Sequence, residues 1–177
     1  MRIFKRNNIF YYLIFISFSI FTSISPRADT IELKTYKDWS VYKRQDNSGL
    51  ICFMSSVPKK LLGDYDRKNR GETRVFVSHG PGSSERNVVS VLAGYNYKKH
   101  SEVTFEINKS EYILFTLENR AWSPGAEEDM NLINAMKRGK KLIVTGVSSR
   151  ENKTIDEYSL SGFTLAKKFL DKSCKWI

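Results

Sequence analysis

Six short segments with strand patterning, each bounded by turn residues, precede the first helix signal in this 177-residue chain. That order restricts the fold more than any single motif does. Residues 39–42 (Trp-Ser-Val-Tyr) alternate as a half-buried strand, and residues 49–56 carry Leu50, Ile51, Cys52, Phe53 and Met54. Asp46-Asn-Ser-Gly49 between them is turn chemistry, so the pair reads as a hairpin ended by Pro58. Charged residues 59–73 read as an exposed loop. Residues 74–78 and 87–93 are further strands around the loop His79-Gly-Pro-Gly-Ser-Ser84, and residues 103–107 and 112–117 form a second hairpin. Short strands in a row, without intervening helices, favour an antiparallel arrangement.

Two helices complete the pattern. Ser123 is placed to cap the first, with Pro124 at its first position, Glu127, Glu128 and Asp129 in the opening turn, and Lys137 and Arg138 in the last. Gly139 is expected as a left-handed stop. Residues 141–147 and 154–160 are strands. A closing helix from near Ser161 spaces Phe163, Ala166, Phe169, Leu170 and Cys174 along one face, which turns Cys174 toward the sheet. The expectation is a mainly β domain: an antiparallel β-sandwich or barrel of about eight short strands with two short α-helices.

The N-terminus has the form of a secretory signal peptide. Arg2, Lys5 and Arg6 precede a nearly unbroken apolar run over residues 9–21, and small and polar residues lead to Ala28. An uncleaved anchor is the alternative, although the run is short for a span. Residues 1–28 are therefore assigned as signal peptide and 29–177 as a single domain, with no transmembrane segment after cleavage. Losing Arg2, Lys5, Arg6 and Arg27 leaves a formal charge of +6, against +10 for the whole chain. A basic exported domain could meet anionic lipid, polysaccharide or an acidic protein, while nucleic acid is excluded by compartment. Cys52 and Cys174 suit one structural disulfide in an oxidising compartment, worth roughly 4 kcal/mol in the chain-entropy model. A metal pair or a reactive thiol is the alternative, and two cysteines without nearby histidines make a poor zinc site.

No catalytic, cofactor or metal residues are assigned. Only His79 and His100 could serve as imidazole base, both in expected loops, and no Gly-x-Ser-x-Gly elbow exists. Gly80-Pro-Gly-Ser-Ser84 lacks the Lys-Ser/Thr of a phosphate cradle, and Pro81 removes a backbone donor. Adjacent Glu127, Glu128 and Asp129 point in different directions and read as helix-start acids. Lys98, Lys99, Lys137, Arg138, Lys140 and Lys141 are candidate contacts to an anionic surface if they converge on one face.

In order and spacing, Val88-Val-Ser-Val-Leu-Ala-Gly-Tyr95, Ala121-Trp122, Ala135-Met-Lys-Arg-Gly139, Val144-Thr-Gly146 and Tyr158-Ser-Leu-Ser-Gly-Phe163 resemble the invasion-associated locus B family. Tyr36-Lys-Asp-Trp-Ser-Val41 and Ile51-Cys52 are similar to that family's opening strand and first cysteine. The chain departs from the family pattern at Arg150-Glu-Asn-Lys-Thr154 and at Val88. The resemblance implies an exported β domain of Gram-negative, typically alphaproteobacterial, cells, and brings no catalytic motif with it. The expected role is a non-enzymatic binding or accessory module in the periplasm, at the outer membrane or secreted, with a link to host-cell invasion through the family's name. Its partner would be an envelope or host-surface protein, or anionic lipid or polysaccharide. A hydrolase of envelope polymers and a surface adhesin are the alternatives.

Overall fold

The computed structural model describes residues 29–174, so the expected signal peptide lies outside the described residues. Eleven strands form one antiparallel sheet. In chain order they are β1 Thr30–Tyr36, β2 Trp39–Asp46, β3 Gly49–Ser56, β4 Lys60–Leu62, β5 Arg74–His79, β6 Val88–Leu92, β7 Glu102–Ile107, β8 Ser110–Leu117, β9 Arg120–Trp122, β10 Lys141–Val147 and β11 Lys153–Ser159. Helix α1 (Ala126–Arg138) joins β9 to β10, and α2 (Phe163–Ser173) follows β11. The sheet order is β1-β2-β3-β5-β6-β9-β8-β7-β10-β11-β4.

The mainly antiparallel β class with two helices agrees with the sequence, but the strand number is eleven rather than eight. The three additional strands carry weak signals for physical reasons. The edge strand β1 is exposed at nearly every position, so it shows no clean alternation. Strands β4 and β9 have three residues each, too few to display a period.

Both ends of the sheet curl toward each other. Beyond β3 the chain enters β4, which pairs with β11 (Leu61 opposite Asp156). Lys59 N–H donates to the Glu157 carbonyl at 2.7 Å, Trp39 Nε1–H to Ser159 at 3.0 Å and Asp38 N–H to Ser161 at 3.3 Å. These bonds carry β11 back against β2 and β3, so one core is enclosed by two facing halves of the sheet. Alternate residues point inward: Met54 on β3, Val75 and Val77 on β5, Val89 and Val91 on β6, Val103, Phe105 and Ile107 on β7, Leu142 and Val144 on β10, and Tyr158 on β11. Each large side chain so buried is worth about 1.5–3 kcal/mol.

The helices close one end. Leu132, Ile133 and Met136 of α1 and Phe163, Ala166 and Leu170 of α2 are buried in the same core. Trp39 meets Phe163 edge-on with ring centroids 4.9 Å apart. Cys52 and Cys174 are joined, with Cα atoms 6.1 Å apart and 122 residues between them in sequence, which pins the end of α2 to β3. Capping differs from expectation. Gly125, in extended conformation, is the residue before α1, whereas Ser123 is buried upstream with its N–H on the Val89 carbonyl. Gly139 is not left-handed (φ −80°); a Cβ there would lie 2.6 Å from Ile107 and 2.7 Å from Leu160, so close packing explains the glycine.

Candidate functional site

The end of the fold opposite α2 holds a cleft of about 610 Å³. Three connections build it: residues 65–70 before β5, residues 94–96 after β6, and the β10–β11 turn at residues 148–152. Residues 59–73, expected as an exposed loop, are instead tied down. Strand β4 lies within them, Asp66 caps a single turn of 3-10 helix (Arg67–Asn69) by accepting from Lys68 N–H at 3.0 Å, and Gly71 N–H donates to the Gly94 carbonyl at 2.9 Å. Gly94 has φ +76°, and a Cβ on it would lie 2.3 Å from the Gly71 oxygen. Only glycine permits that crossing.

The crossing delivers Arg70 into this end of the core. Its guanidinium forks onto Asp156 of β11, Nη1 to Oδ1 at 2.7 Å and Nη2 to Oδ2 at 2.5 Å, with both side chains only 3% exposed. Arg70 Nε–H also donates to the Ala93 carbonyl at 2.9 Å and Nη1–H to the Tyr65 hydroxyl at 2.6 Å. The cation sits 5.3 Å from the Tyr65 ring centroid and 5.1 Å from that of Tyr95. Burial opposes the charge on Arg70, yet its bonds to Asp156 and Tyr65 hold it above the ordinary arginine value. Burial pushes Asp156 up against the pull of the same arginine. Around them Tyr95 and Thr154 share a 2.6 Å hydroxyl contact, and Tyr158 reaches Thr73 at 3.1 Å. Burial raises both Tyr95 and Tyr158. The floor is thus a saturated polar network, rigid because almost every donor in it has a partner.

The rim is different. Ser148 organises the turn, its hydroxyl accepting from Arg150 N–H at 3.3 Å and Asn152 N–H at 3.2 Å. The side chains of Asn96, Ser149, Arg150 and Asn152 make no hydrogen bond or ion pair among the described residues. Asn96, Ser149 and Arg150 are exposed and Asn152 is half-buried. A rigid aromatic floor beneath a ring of unengaged planar donors suits a hydroxyl-rich ligand, and the Arg150 guanidinium favours one with an acidic group. Three carboxylates at this end are occupied: Asp66 by Lys68 and Asn69, Asp156 by Arg70, and the nearby Glu151 by Lys98 at 2.9 Å.

The sequence missed Arg70 and Tyr65 because charge density made their segment look solvated. A signal for them did exist. Asp156 occupies the same inward phase of β11 as Thr154 and Tyr158, and an inward carboxylate requires a buried donor or cation to satisfy it. The basic candidates fall into two groups. Lys98 and Lys99 sit where Lys98 N–H bonds the Val147 carbonyl, at one end of β10. Lys137, Arg138, Lys140 and Lys141 surround its other end, roughly 20 Å away at strand spacing. Lys141 and Lys60 both approach Glu157, at 3.5 Å and 3.6 Å.

His79 does not lie in a loop. It ends β5, is buried beside Cys52, and has both ring nitrogens engaged. Nδ1 accepts from Asn87 N–H at 3.0 Å, so Nε2 carries the proton and donates to Asp171 Oδ1 at 2.8 Å. The ring therefore has no free lone pair with which to act as a base. Asp171 also binds the buried Lys167 of the preceding helical turn. Burial works against both charges. Asp171 nevertheless ends below the ordinary carboxylate range through His79 and Lys167, while Lys167 is depressed.

Residues 39–171 match the family model described as invasion associated locus B (IalB) protein. The chain belongs to that family. Among solved structures, the crystal structure of invasion associated protein b from Bartonella henselae resembles it with a TM-score of 0.54 at 16% identity, covering 80% of this chain and 97% of that one. At that identity the likeness concerns the fold alone. No curated protein matches the chain. The family match spans β2 to α2, so the Arg70–Asp156 pair, the cleft loops and the His79–Asp171 contact all lie inside the shared region.

Proposed function

We propose that this invasion associated locus B family protein is an exported, non-enzymatic binding module of the bacterial envelope. Its cleft takes an acidic, hydroxyl-rich ligand: a segment of polysaccharide bearing carboxylate or phosphate groups. The observation that carries this reading is the contrast within the cleft, a floor whose charges are mutually satisfied below a rim of unengaged Asn96, Ser149, Arg150 and Asn152. Groups poised for acid–base chemistry need an available proton site, and Asp66, Asp156 and His79 are each committed to structural bonds. Export is supported by the Cys52–Cys174 bond, which suits an oxidising compartment, and by the N-terminal charge and apolar pattern. No helix among the described residues is long and apolar enough to cross a membrane. Calorimetric titration with neutral and acidic oligosaccharides tests the proposal. Acidic fragments should bind, Arg150→Glu should weaken them about tenfold or more, and Tyr65→Ala should weaken them by loss of the ring surface. Equal binding of neutral and acidic fragments, or indifference to Arg150→Glu, would remove the charge-recognition argument.

A further inference from the structure

The outward face of the sheet from β3 to β8 carries a band of apolar side chains, bordered on β7 by the exposed Glu102 opposite Phe115, and it is independent of the cleft. Cross-strand register lays Phe76 of β5 opposite Ser90 of β6, Ser90 opposite Trp122 of β9, and Trp122 opposite Phe115 of β8. Phe115 stacks on Trp122 at 5.9 Å, and Tyr42 stacks on Phe53 at 5.1 Å at the far end of the same face. Along β8 the outward positions Ile113, Phe115 and Leu117 are 43%, 49% and 62% exposed. A solvated sheet face ordinarily alternates to polar residues here, and a contiguous apolar stripe of this kind marks an interaction surface.

Charge is segregated around the stripe. On one side Arg120, opposite Leu117, lies over the Phe76 ring at 4.9 Å without a carboxylate partner among the described residues. Burial and the neighbouring Arg44 both push its guanidinium below the ordinary arginine value. On the other side Glu106 of β7 stands directly opposite Glu111 of β8, two exposed acids with no cation at ion-pair distance among the described residues. Like charges directly opposite across strands are destabilising. Each side of the stripe therefore holds the charge the other lacks. Glu111 and Leu117 are six residues apart on β8, so a line midway between them crosses the strand near Ile113 and Phe115.

We infer that this face binds a second copy of the chain, with a two-fold axis lying in the interface over Ile113 and Phe115. The apolar stripe then packs on itself, and Arg120 of each protomer meets Glu106 and Glu111 of its partner. An isologous contact requires this self-complementarity. The net positive charge of the chain is no obstacle at physiological salt, where opposed charges beyond about 8 Å are screened. Sedimentation equilibrium on the purified protein tests the inference. Wild type should be dimeric, and Arg120→Glu or Glu111→Arg alone should weaken association at least about tenfold. An equimolar mixture of the two variants should dimerise again, because each restores the other's missing charge. Ile113→Cys, on the axis, should cross-link to itself under mild oxidation, which keeps the test intact if a charge variant folds poorly. A wild-type protein that stays monomeric, a dimer unaffected by the charge changes, or a mixture that remains monomeric would each overturn it.

Discussion

Arg70 and Asp156 show how one buried pair can hold a binding surface in place. Removing one partner of such a pair leaves a buried charge with no counter-charge, held here only by the Ala93 carbonyl, the Tyr65 hydroxyl and two ring faces. Asp156→Asn is expected to cost about 3–5 kcal/mol, read as a lowered midpoint in chemical denaturation. A cost below 1 kcal/mol would mean that the pair does not organise the cleft. Asp129 behaves oppositely. It is buried on α1, accepts from Val89 N–H at 2.8 Å, and is pushed up to about 6, mainly by burial. Because its folded value lies above the unfolded 3.8, it favours the fold fully below pH 3.8 and loses that contribution as pH rises through 6. The loss is on the order of 3 kcal/mol. Asp38 and Asp171 are lowered and oppose it, favouring the fold above the ordinary carboxylate range and losing that contribution as pH falls through their folded values. The difference between wild type and Asp129→Asn isolates the Asp129 contribution. The variant should gain melting temperature relative to wild type between pH 4 and pH 7, whereas a constant offset across that range would contradict the assignment.

At the scale of elements, the sequence was most legible where an apolar run or period extends over five or more residues between turn signals. Strands β3, β5, β7, β10 and β11 and both helices are readable from apolar runs and periods together with their bounding turn and cap residues, and Cys174 turns toward β3 because Phe163, Ala166 and Leu170 fix the buried face of α2. Short or edge elements were not legible, since β4 and β9 are defined by their neighbours' hydrogen bonds rather than by their own composition. The entry to α2 illustrates a local constraint that composition hides. Gly162 has φ +91°, and a Cβ on it would lie 1.9 Å from the Tyr36 carbonyl oxygen. Gly162→Ala should therefore destabilise the protein by about 1–3 kcal/mol, partly by pushing α2 away from β1. Proteolysis near residues 161–163 should accelerate in the variant, and unchanged stability would show that the Tyr36 contact yields without cost.

For the molecule as a whole, the fold has two unlike ends joined by one core. At one end α2, the disulfide and the His79–Asp171–Lys167 contacts lock the two sheet halves together. At the other, loops cross over a saturated ion pair and leave their rim donors facing solvent. The β class and the cysteine pairing were readable because they depend on patterns along the chain. The cleft was not, because Tyr65, Arg70, Tyr95, Arg150 and Asp156 are scattered over ninety residues and converge only through the Gly71–Gly94 crossing and the curl of β11. The candidate basic residues fall in two sequence-local groups, 98–99 and 137–141, which β10 holds at its opposite ends. The binding account rests on that one end, and amide chemical-shift mapping during titration with an acidic oligosaccharide addresses it most directly. The account predicts saturable shifts concentrated at residues 65–70, 94–96 and 148–152, and weaker binding as salt rises. Shifts gathered instead around α2 and the disulfide, or no saturable response to any acidic fragment, would contradict it.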